Sequence, residues 1–254
     1  RDQPRSRGLG DVYKRQVPNL RKGTVAEALA DPRSAFSESY RSVRTALQFS
    51  TDRGVPKVLL VTSPSAAEGK STTALTLARN FAQLGKRVLL VEADLRNPSL
   101  HRVTGMRAEQ GLSSLLAGAA SISQVIRDTD DERLQVILAG PLPPNPAELL
   151  SGSRLLSMLT IAAEKYDQVI IDGPPVLGIA DAPILSNVVS GTLLVVYSGK
   201  TRIKTAQSAI KRLAAARAHL IGGLLTHYDA KVAGYGYDYE SYYAYGTTPK
   251  LGKG

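Results

Sequence analysis

Apolar residues fall along this chain in two alternating rhythms. Short continuous runs rich in Val, Ile and Leu, such as VLLV at 58–61 and TLLVVY at 192–197, alternate from residue 57 onward with longer stretches whose apolar positions recur every three or four residues. Runs of the first kind predict strands buried on both faces, and stretches of the second kind predict amphipathic helices. Strands are therefore expected near 58–62, 88–92, 134–138, 168–172, 192–197 and 221–226. Helices are expected at 70–84, 111–117, 153–165, 181–189 and 204–217. Strands separated by helix-length segments predict an α/β fold, a mostly parallel sheet flanked by helices on both faces. Residues 1–22 lack any period and are dense in Arg, Gly and Pro, so they are expected to be disordered. Residues 23–56 read as an N-terminal helical segment, 57–232 as the α/β domain, and 233–254 as a flexible tail.

That tail contains YGYDYESYYAYG at 235–246, half of it tyrosine. As core it fails, because glycines and acids interrupt every apolar face. As a stacking platform for single-stranded nucleic acid it lacks interleaved Arg or Lys.

Composition narrows the classes. With 254 residues the chain can bury one substantial core, and 43% hydrophobic with 21% charged residues fits a globular domain. The absence of cysteine excludes disulfides and thiolate metal sites. No apolar run approaches the roughly 18 residues of a membrane span, and no secretory h-region opens the sequence. A cytoplasmic setting is expected. The net charge of +10 sits at the ends: residues 1–22 carry +5, residues 199–254 carry +6, and the stretch between them −1. The central domain is therefore not a basic platform, and no nucleic-acid partner is expected. Basic ends fit either an anionic membrane surface or plain solvation. Within the first segment, DVYKRQ resembles a translated sequencing adaptor, so residues 1–22 are expected to be non-native and to stand in for a missing upstream part.

The strongest chemical signal follows the first predicted strand, in VLLVTSPSAAEGKSTTALTLARNFAQLG. A buried strand, a loop of small residues and Gly69-Lys70-Ser71-Thr72 opening a helix form the context of a P-loop. Backbone amides at such a helix start, together with its dipole, hold phosphate oxygens; Lys70 reaches the terminal phosphates and Ser71 can ligate Mg²⁺. The nucleotide-binding set is Ala66, Ala67, Glu68, Gly69, Lys70, Ser71 and Thr72. The full G-x-x-x-x-G-K-[ST] pattern is broken, since Pro64 stands at the first glycine position.

Two further segments converge on this loop. In RVLLVEADLRNP (87–98) the strand period places Glu92 and Asp94 on one side, at the carboxyl edge of the sheet where open α/β folds bind ligands. In YDQVIIDGPP (166–175) an apolar strand finishes in Asp172. With the P-loop these acids make a metal-nucleotide site in which Ser71, Asp94 and Asp172 hold the metal. Arg96, just beyond, reads either as a phosphate contact or as a salt-bridge partner.

The order of a P-loop, LLVEADLR, VIIDGPP and a tyrosine-rich tail resembles the bacterial tyrosine kinases of capsule and exopolysaccharide synthesis. Two secondary matches join it: the E-x-x-R-x-x-R of Glu38, Arg41 and Arg44 in ESYRSVRTALQF, and GPLPPNPAELL at 140–150. The resemblance spans roughly residues 36–246. It implies a deviant Walker P-loop NTPase fold that uses ATP and Mg²⁺ to phosphorylate protein tyrosine. It implies Lys70, Glu92, Asp94 and Asp172 as catalytic residues and Glu38, Arg41 and Arg44 as an oligomerisation motif. The acceptors would be Tyr235, Tyr237, Tyr239, Tyr242, Tyr243 and Tyr245, phosphorylated between subunits of a homo-oligomeric ring. The resemblance further implies regulation of polysaccharide synthesis or export, with a membrane co-polymerase, fused or separate, holding the domain at the inner face of the membrane.

Two departures stand against the family pattern. Ala66-Ala67 replaces Pro-Gly, which stiffens a loop that needs unusual φ/ψ. Glu92 replaces an aspartate and is one methylene longer, enough to displace a base or a metal-bridging carboxylate by about 1 Å. Either Glu92 or Asp94 could take the tyrosine proton, because a phenol with a pKa near 10 must lose it during attack. Two other readings remain open at this stage. One is a partition- or division-site-type Walker ATPase, whose usual second lysine is missing from SPSAAE at 63–68. The other is a non-catalytic nucleotide-binding scaffold.

Overall fold

The computed structural model describes residues 16–18, 27–28, 31, 33–52 and 54–229. The first element is a three-residue strand, β1 (Gln16–Pro18), followed by helix α1 (Ala35–Gln48). Then come β2 (Val58–Thr62), α2 (Lys70–Ala82), β3 (Val88–Glu92), α3 (Leu100–Thr104), α4 (Leu112–Ala117) and α5 (Ile122–Val125). The chain continues through β4 (Ile126–Asp128), β5 (Leu134–Ile137), α6 (Pro146–Ser151), α7 (Ser153–Lys165), β6 (Gln168–Asp172) and α8 (Asp181–Val188). It closes with β7 (Gly191–Tyr197), α9 (Ile203–Ala215) and β8 (Leu220–Tyr228).

These strands form one sheet in the order β1-β8-β7-β2-β6-β3-β5-β4, parallel throughout except for the antiparallel edge pair β4–β5. The predicted α/β architecture is present, with element ends within about two residues of expectation. A strand buried on both faces must be apolar at successive positions, and β2, β3 and β6 are buried at every residue. Along β2, Leu59 and Val61 face a layer built with Phe36, Tyr40, Leu77 and Phe81 of α1 and α2. Leu60 faces the opposite layer, with Leu116, Met158, Leu159 and Leu185 from α4, α7 and α8. Helix α9 adds Ala209 and Leu213 against Leu194 of β7.

Local signals explain the helix starts. Ser34 caps α1 by accepting the Ser37 N–H at 3.0 Å, satisfying one of the free amides of the first turn. Within α1, Phe36, Tyr40, Val43 and Leu47 are buried, a spacing of three and four residues that turns one face to α2. The Tyr40 hydroxyl, fully buried, finds Thr73 of α2 at 3.0 Å, and burial raises its pKa well above the ordinary phenol value.

The expectation of disorder across residues 1–22 is corrected at 16–18. There β1 pairs in parallel with β8, Gln16 opposite Leu225, and Val17 is buried. A three-residue partner to a distant strand leaves no local period to read. The six tail tyrosines lie outside the described residues. Among the described residues no helix is long and apolar enough to cross a membrane.

What this architecture positions is the carboxyl edge of its central strands. β2 lies between β6 and β7, while β3 lies beyond β6. The chain leaves β2 toward one side of the sheet and later returns to flank it on the other. That reversal opens a crevice above the strand ends, where open α/β sheets take ligands.

Candidate functional site

The loop from β2 to α2 is held in shape by its own side chains. Gly69 has φ 91° and sits tightly under Thr226, whose methyl would lie 3.4 Å from any added Cβ. The Glu68 carboxylate accepts the Ser65 N–H at 3.0 Å and the Tyr197 N–H at 3.2 Å. The Thr226 hydroxyl donates to the Glu68 carbonyl at 2.7 Å. The loop is thereby tied to β7 and β8. Glu68, which the sequence placed among the nucleotide contacts, acts as its internal brace, and burial pushes its carboxyl pKa up against those hydrogen bonds. Ala67 has φ 60°, the left-handed region that a glycine would occupy without strain. The substitution thus keeps the loop's course at a strain cost of about 1–3 kcal/mol.

Helix α2 makes its first backbone bond from Thr73 to Gly69. The amides of Lys70, Ser71 and Thr72 precede that bond and point out of the helix start, a ready anion cradle. Ala66, Ala67, Gly69, Lys70, Ser71 and Thr72 all line a cleft of about 530 Å³. Its opposite wall carries Asp94, Arg96, Ser99 and Arg102, and Pro175 and His227 close its flanks.

At the floor of the cleft, Lys70 donates to Asp94 Oδ2 at 2.9 Å and lies 4.0 Å from Oδ1 of Asp172, which sits beneath the lining residues and does not itself line the cleft. All three residues are buried. Burial works against the Lys70 ammonium, but Asp172 and Asp94 outweigh it and raise its pKa. Asp172 is fully buried, and neither carboxylate oxygen has a hydrogen-bond partner among the described residues. Burial raises its pKa to about 6, opposed by Lys70. The nearby Ser71 hydroxyl also opposes that rise, while its hydrogen-bond partner is the Ser99 hydroxyl at 2.7 Å.

A buried carboxylate left without donors is costly. One aimed beside a P-loop lysine and a serine hydroxyl is what a divalent cation would satisfy. Among the described residues no cluster of three or more His, Cys, Asp or Glu could hold a metal alone. A cation here must therefore complete its shell with the serine hydroxyl, water and phosphate oxygens, the usual habit of Mg²⁺. Cradle, lysine and unsatisfied acid together fit a Mg²⁺-nucleoside triphosphate.

The second acid pair is corrected. Asp94 belongs to the floor, with one oxygen on Lys70 and the other accepting the Asn97 N–H at 3.0 Å. Glu92 faces elsewhere. Its Oε1 accepts the Ser99 and Leu100 N–H groups, each at 2.6 Å, and its Oε2 accepts the Ala139 N–H at 3.0 Å. The extra methylene carries its carboxylate to the start of α3, where it pins the wall bearing Ser99 and Arg102. In this arrangement three backbone donors hold the Glu92 carboxylate against that wall, and Glu92 is not among the residues that line the cleft. Glu92→Gln should consequently lower the unfolding free energy by about 1–3 kcal/mol, because an amide nitrogen would face a backbone donor. Urea denaturation checks this, and an unmoved midpoint beside lost activity would restore Glu92 as a base.

Arg96 forms a bidentate pair with Asp181 of α8, at 2.8 and 3.0 Å, so its salt-bridge reading holds. In α1, Arg41 donates to Glu38 at 2.7 Å, while Arg44 turns inward to the Asn80 carbonyl at 3.3 Å. Glu38 is exposed and pairs with Arg41, and Arg41 and Arg44 are both half-buried. His227 went unnoticed in the sequence; its position at the carboxyl end of the last parallel strand was the available signal.

The sequence profile of the AAA domain family matches residues 57–213. Tyrosine-protein kinase YwqD of Bacillus subtilis is 42% identical over 198 residues, 78% of this chain and 84% of that protein. Tyrosine-protein kinase ptk of Acinetobacter johnsonii is 38% identical over 198 residues, covering 78% of this chain but only 27% of that longer protein. The solved kinase domain of Escherichia coli tyrosine kinase ETK superposes with a TM-score of 0.77 at 30% identity, over 83% of this chain and 88% of that one. The septum site-determining protein MinD of Pyrococcus horikoshii, solved with Mg-ADP, shares the fold at a TM-score of 0.57 and 22% identity, over 66% of this chain and 69% of that one.

Proposed function

The chain belongs to the bacterial tyrosine-kinase family, and from that premise we propose that it transfers the γ-phosphoryl group of ATP to tyrosines in the C-terminal tail of a neighbouring copy. The observation that carries this reading is the buried Lys70–Asp94–Asp172 floor, with its unsatisfied Asp172 oxygens, directly under the anion cradle of α2.

Mg-ATP supplies a transferable phosphoryl group whose charge the metal partly neutralises. The chain's part is positioning and charge. The amides of Lys70, Ser71 and Thr72 bind phosphate oxygens, and the Lys70 ammonium stabilises the negative charge that spreads over the phosphoryl oxygens during transfer. Ser71 and Asp172 would hold the metal, with Asp94 as the further acidic ligand or as acceptor of the phenolic proton. Of the two acids considered for that proton, Asp94 alone lines the cleft.

The acceptors are Tyr235, Tyr237, Tyr239, Tyr242, Tyr243 and Tyr245. Each phosphate adds about −1.5 to −2 charge, so several would reverse the basic end of the chain and loosen an assembly built on it. Glu38 and Arg41 on the outer face of α1 would take part in that assembly, a heterologous ring. Because the Acinetobacter relative is several times longer than the matched part, the domain works either beside or within a larger protein. A membrane co-polymerase that controls polysaccharide synthesis or export is the partner proposed, and it would hold the kinase at the inner face of the membrane.

Incubation with Mg-ATP followed by phosphosite mapping tests the reading. Phosphate is expected on residues 235–245 and should be missing from a chain ending at Ala233. Steady ADP release without tail phosphate would instead indicate a Walker ATPase, and neither product would indicate a scaffold.

A further inference from the structure

The cleft has a second chemical feature, on the side away from the acids. β2 is paired with β6 on one flank and with β7 on the other, and β8 lies beyond β7. Asp172 ends β6 and Asp94 follows β3, so the metal and the transferable end of a bound triphosphate belong on that flank. A nucleotide lying along the α2 cradle must then extend its nucleoside toward the ends of β7 and β8.

Two aromatic rings stand there. The His227 imidazole stacks on the Tyr197 ring, with centroids 4.0 Å apart and planes 5° from parallel. Lys200 Nζ lies 5.2 Å from the Tyr197 ring centre. His227 lines the cleft, half-buried, together with Ala66 and Ala67 of the loop. We propose that the His227–Tyr197 stack is the platform on which the purine base of the bound nucleotide lies, an inference that rests on reading the cleft as a nucleotide site.

Three observations support it. His227 has φ 54°, a left-handed backbone in a residue that is not glycine; strain of this kind persists where the surroundings enforce it and gathers at ligand sites. What enforces it is visible: Thr226 donates to the Glu68 carbonyl at 2.7 Å and its own carbonyl accepts the Ser198 N–H at 2.9 Å. The end of β8 is thus locked to the phosphate loop, and the imidazole is presented at a set distance from the cradle. Burial, with Lys200 nearby, lowers the His227 pKa. The ring is consequently neutral at neutral pH and offers an uncharged π face, suited to stacking against adenine. An acceptor phenol is the less fitting occupant, because it must approach the phosphoryl group on the Asp94 flank.

The test compares a ligand with a base to one without. Wild type, His227→Gly and His227→Phe are titrated calorimetrically with MgADP and with magnesium tripolyphosphate. Glycine removes the ring yet accepts the positive φ, and phenylalanine keeps a stacking face. The expected result is a loss of about tenfold in MgADP affinity for His227→Gly, with tripolyphosphate affinity unchanged and His227→Phe close to wild type. Unchanged MgADP affinity in His227→Gly would overturn the platform while leaving the nucleotide site intact. Equal weakening of both ligands would overturn it too, since the phosphate end would then be what was disturbed. A wild type that binds neither ligand would remove the nucleotide reading and this inference together.

Discussion

Lys70→Met is expected to reduce phosphoryl transfer to the tail by about a thousandfold or more, as the loss of a preorganised cation from a phosphoryl-transfer site does. Methionine keeps most of the stem volume, so the packing of α2 against β2 survives and the charge alone is removed. The charge has a second task. In the resting site the Lys70 ammonium is the partner of Asp94 at 2.9 Å and the near neighbour of Asp172 at 4.0 Å. Without it two buried carboxylates face each other unpaired, and a cost of about 3–5 kcal/mol is the usual penalty for orphaning one side of a buried ion pair.

The sign of the accompanying pH dependence follows from linkage. Losing the cation removes the pull that holds the Asp172 pKa down and so raises it further, in the folded state only. The folded protein then binds more protons than the unfolded chain between the ordinary carboxyl range and the raised value, and stability falls as pH rises through that window. The deficit of Lys70→Met relative to wild type should accordingly be smaller at pH 5 than at pH 8. Single-turnover transfer assays and urea midpoints at the two pH values check both parts. Transfer within tenfold of wild type would remove Lys70 from the mechanism.

How far such a site can be read from sequence depends on what each residue's role rests on. The places of Lys70 and Ser71 were legible because a buried strand running into a small-residue loop and a helix fixes them within a few residues of chain, and that of Asp172 because an apolar strand ends on it. Asp94 and Glu92 show the limit of the same logic. The two-residue period that put both acids on one side holds only while the strand lasts, and β3 ends at Glu92. Asp94 lies in the following turn, where backbone direction is set by contacts to Asn97 and Lys70. Glu92 meanwhile finds Ala139, 47 positions away, a partner no local pattern announces. β1 and β4 escaped for a related reason, since each is a three-residue edge strand recognised by its partner and not by its own period. The short α6 hides in a proline-rich stretch, where Pro146 at the helix start serves as an initiator. Ala67 is the converse case: the substitution was visible, and the structure adds that the loop kept its left-handed turn in spite of it.

Asp172→Asn should move stability and activity in opposite directions. In the folded protein burial lifts the Asp172 pKa from about 3.8 to about 6, against the pull of Lys70. A raised carboxyl pKa means that the folded state holds the proton more tightly than the unfolded chain. The resulting penalty is absent below the unfolded value, grows as pH rises from about 4 to about 6, and is complete above that. At about 1.4 kcal/mol per unit the full penalty is about 3 kcal/mol. Asparagine removes it but buries an amide with few partners, so a net gain of about 1–2 kcal/mol at pH 8 is expected, turning into a net loss of about 1 kcal/mol near pH 4, where the penalty is nearly absent and only the amide's cost remains. Thermal unfolding of the nucleotide-free protein at those two pH values reads the difference. Over the same substitution, phosphoryl transfer should fall by about a hundredfold or more, because a neutral amide cannot hold the metal that the carboxylate is placed to receive. A variant less stable than wild type at pH 8 would mean that Asp172 is satisfied within the fold, and its role as the waiting metal ligand would fail with it. The opposite outcome would show why this acid stays buried without donors: its unfavourable resting state is offset only when a cation arrives, so the charge that weakens the empty domain strengthens its hold on Mg²⁺ and nucleotide.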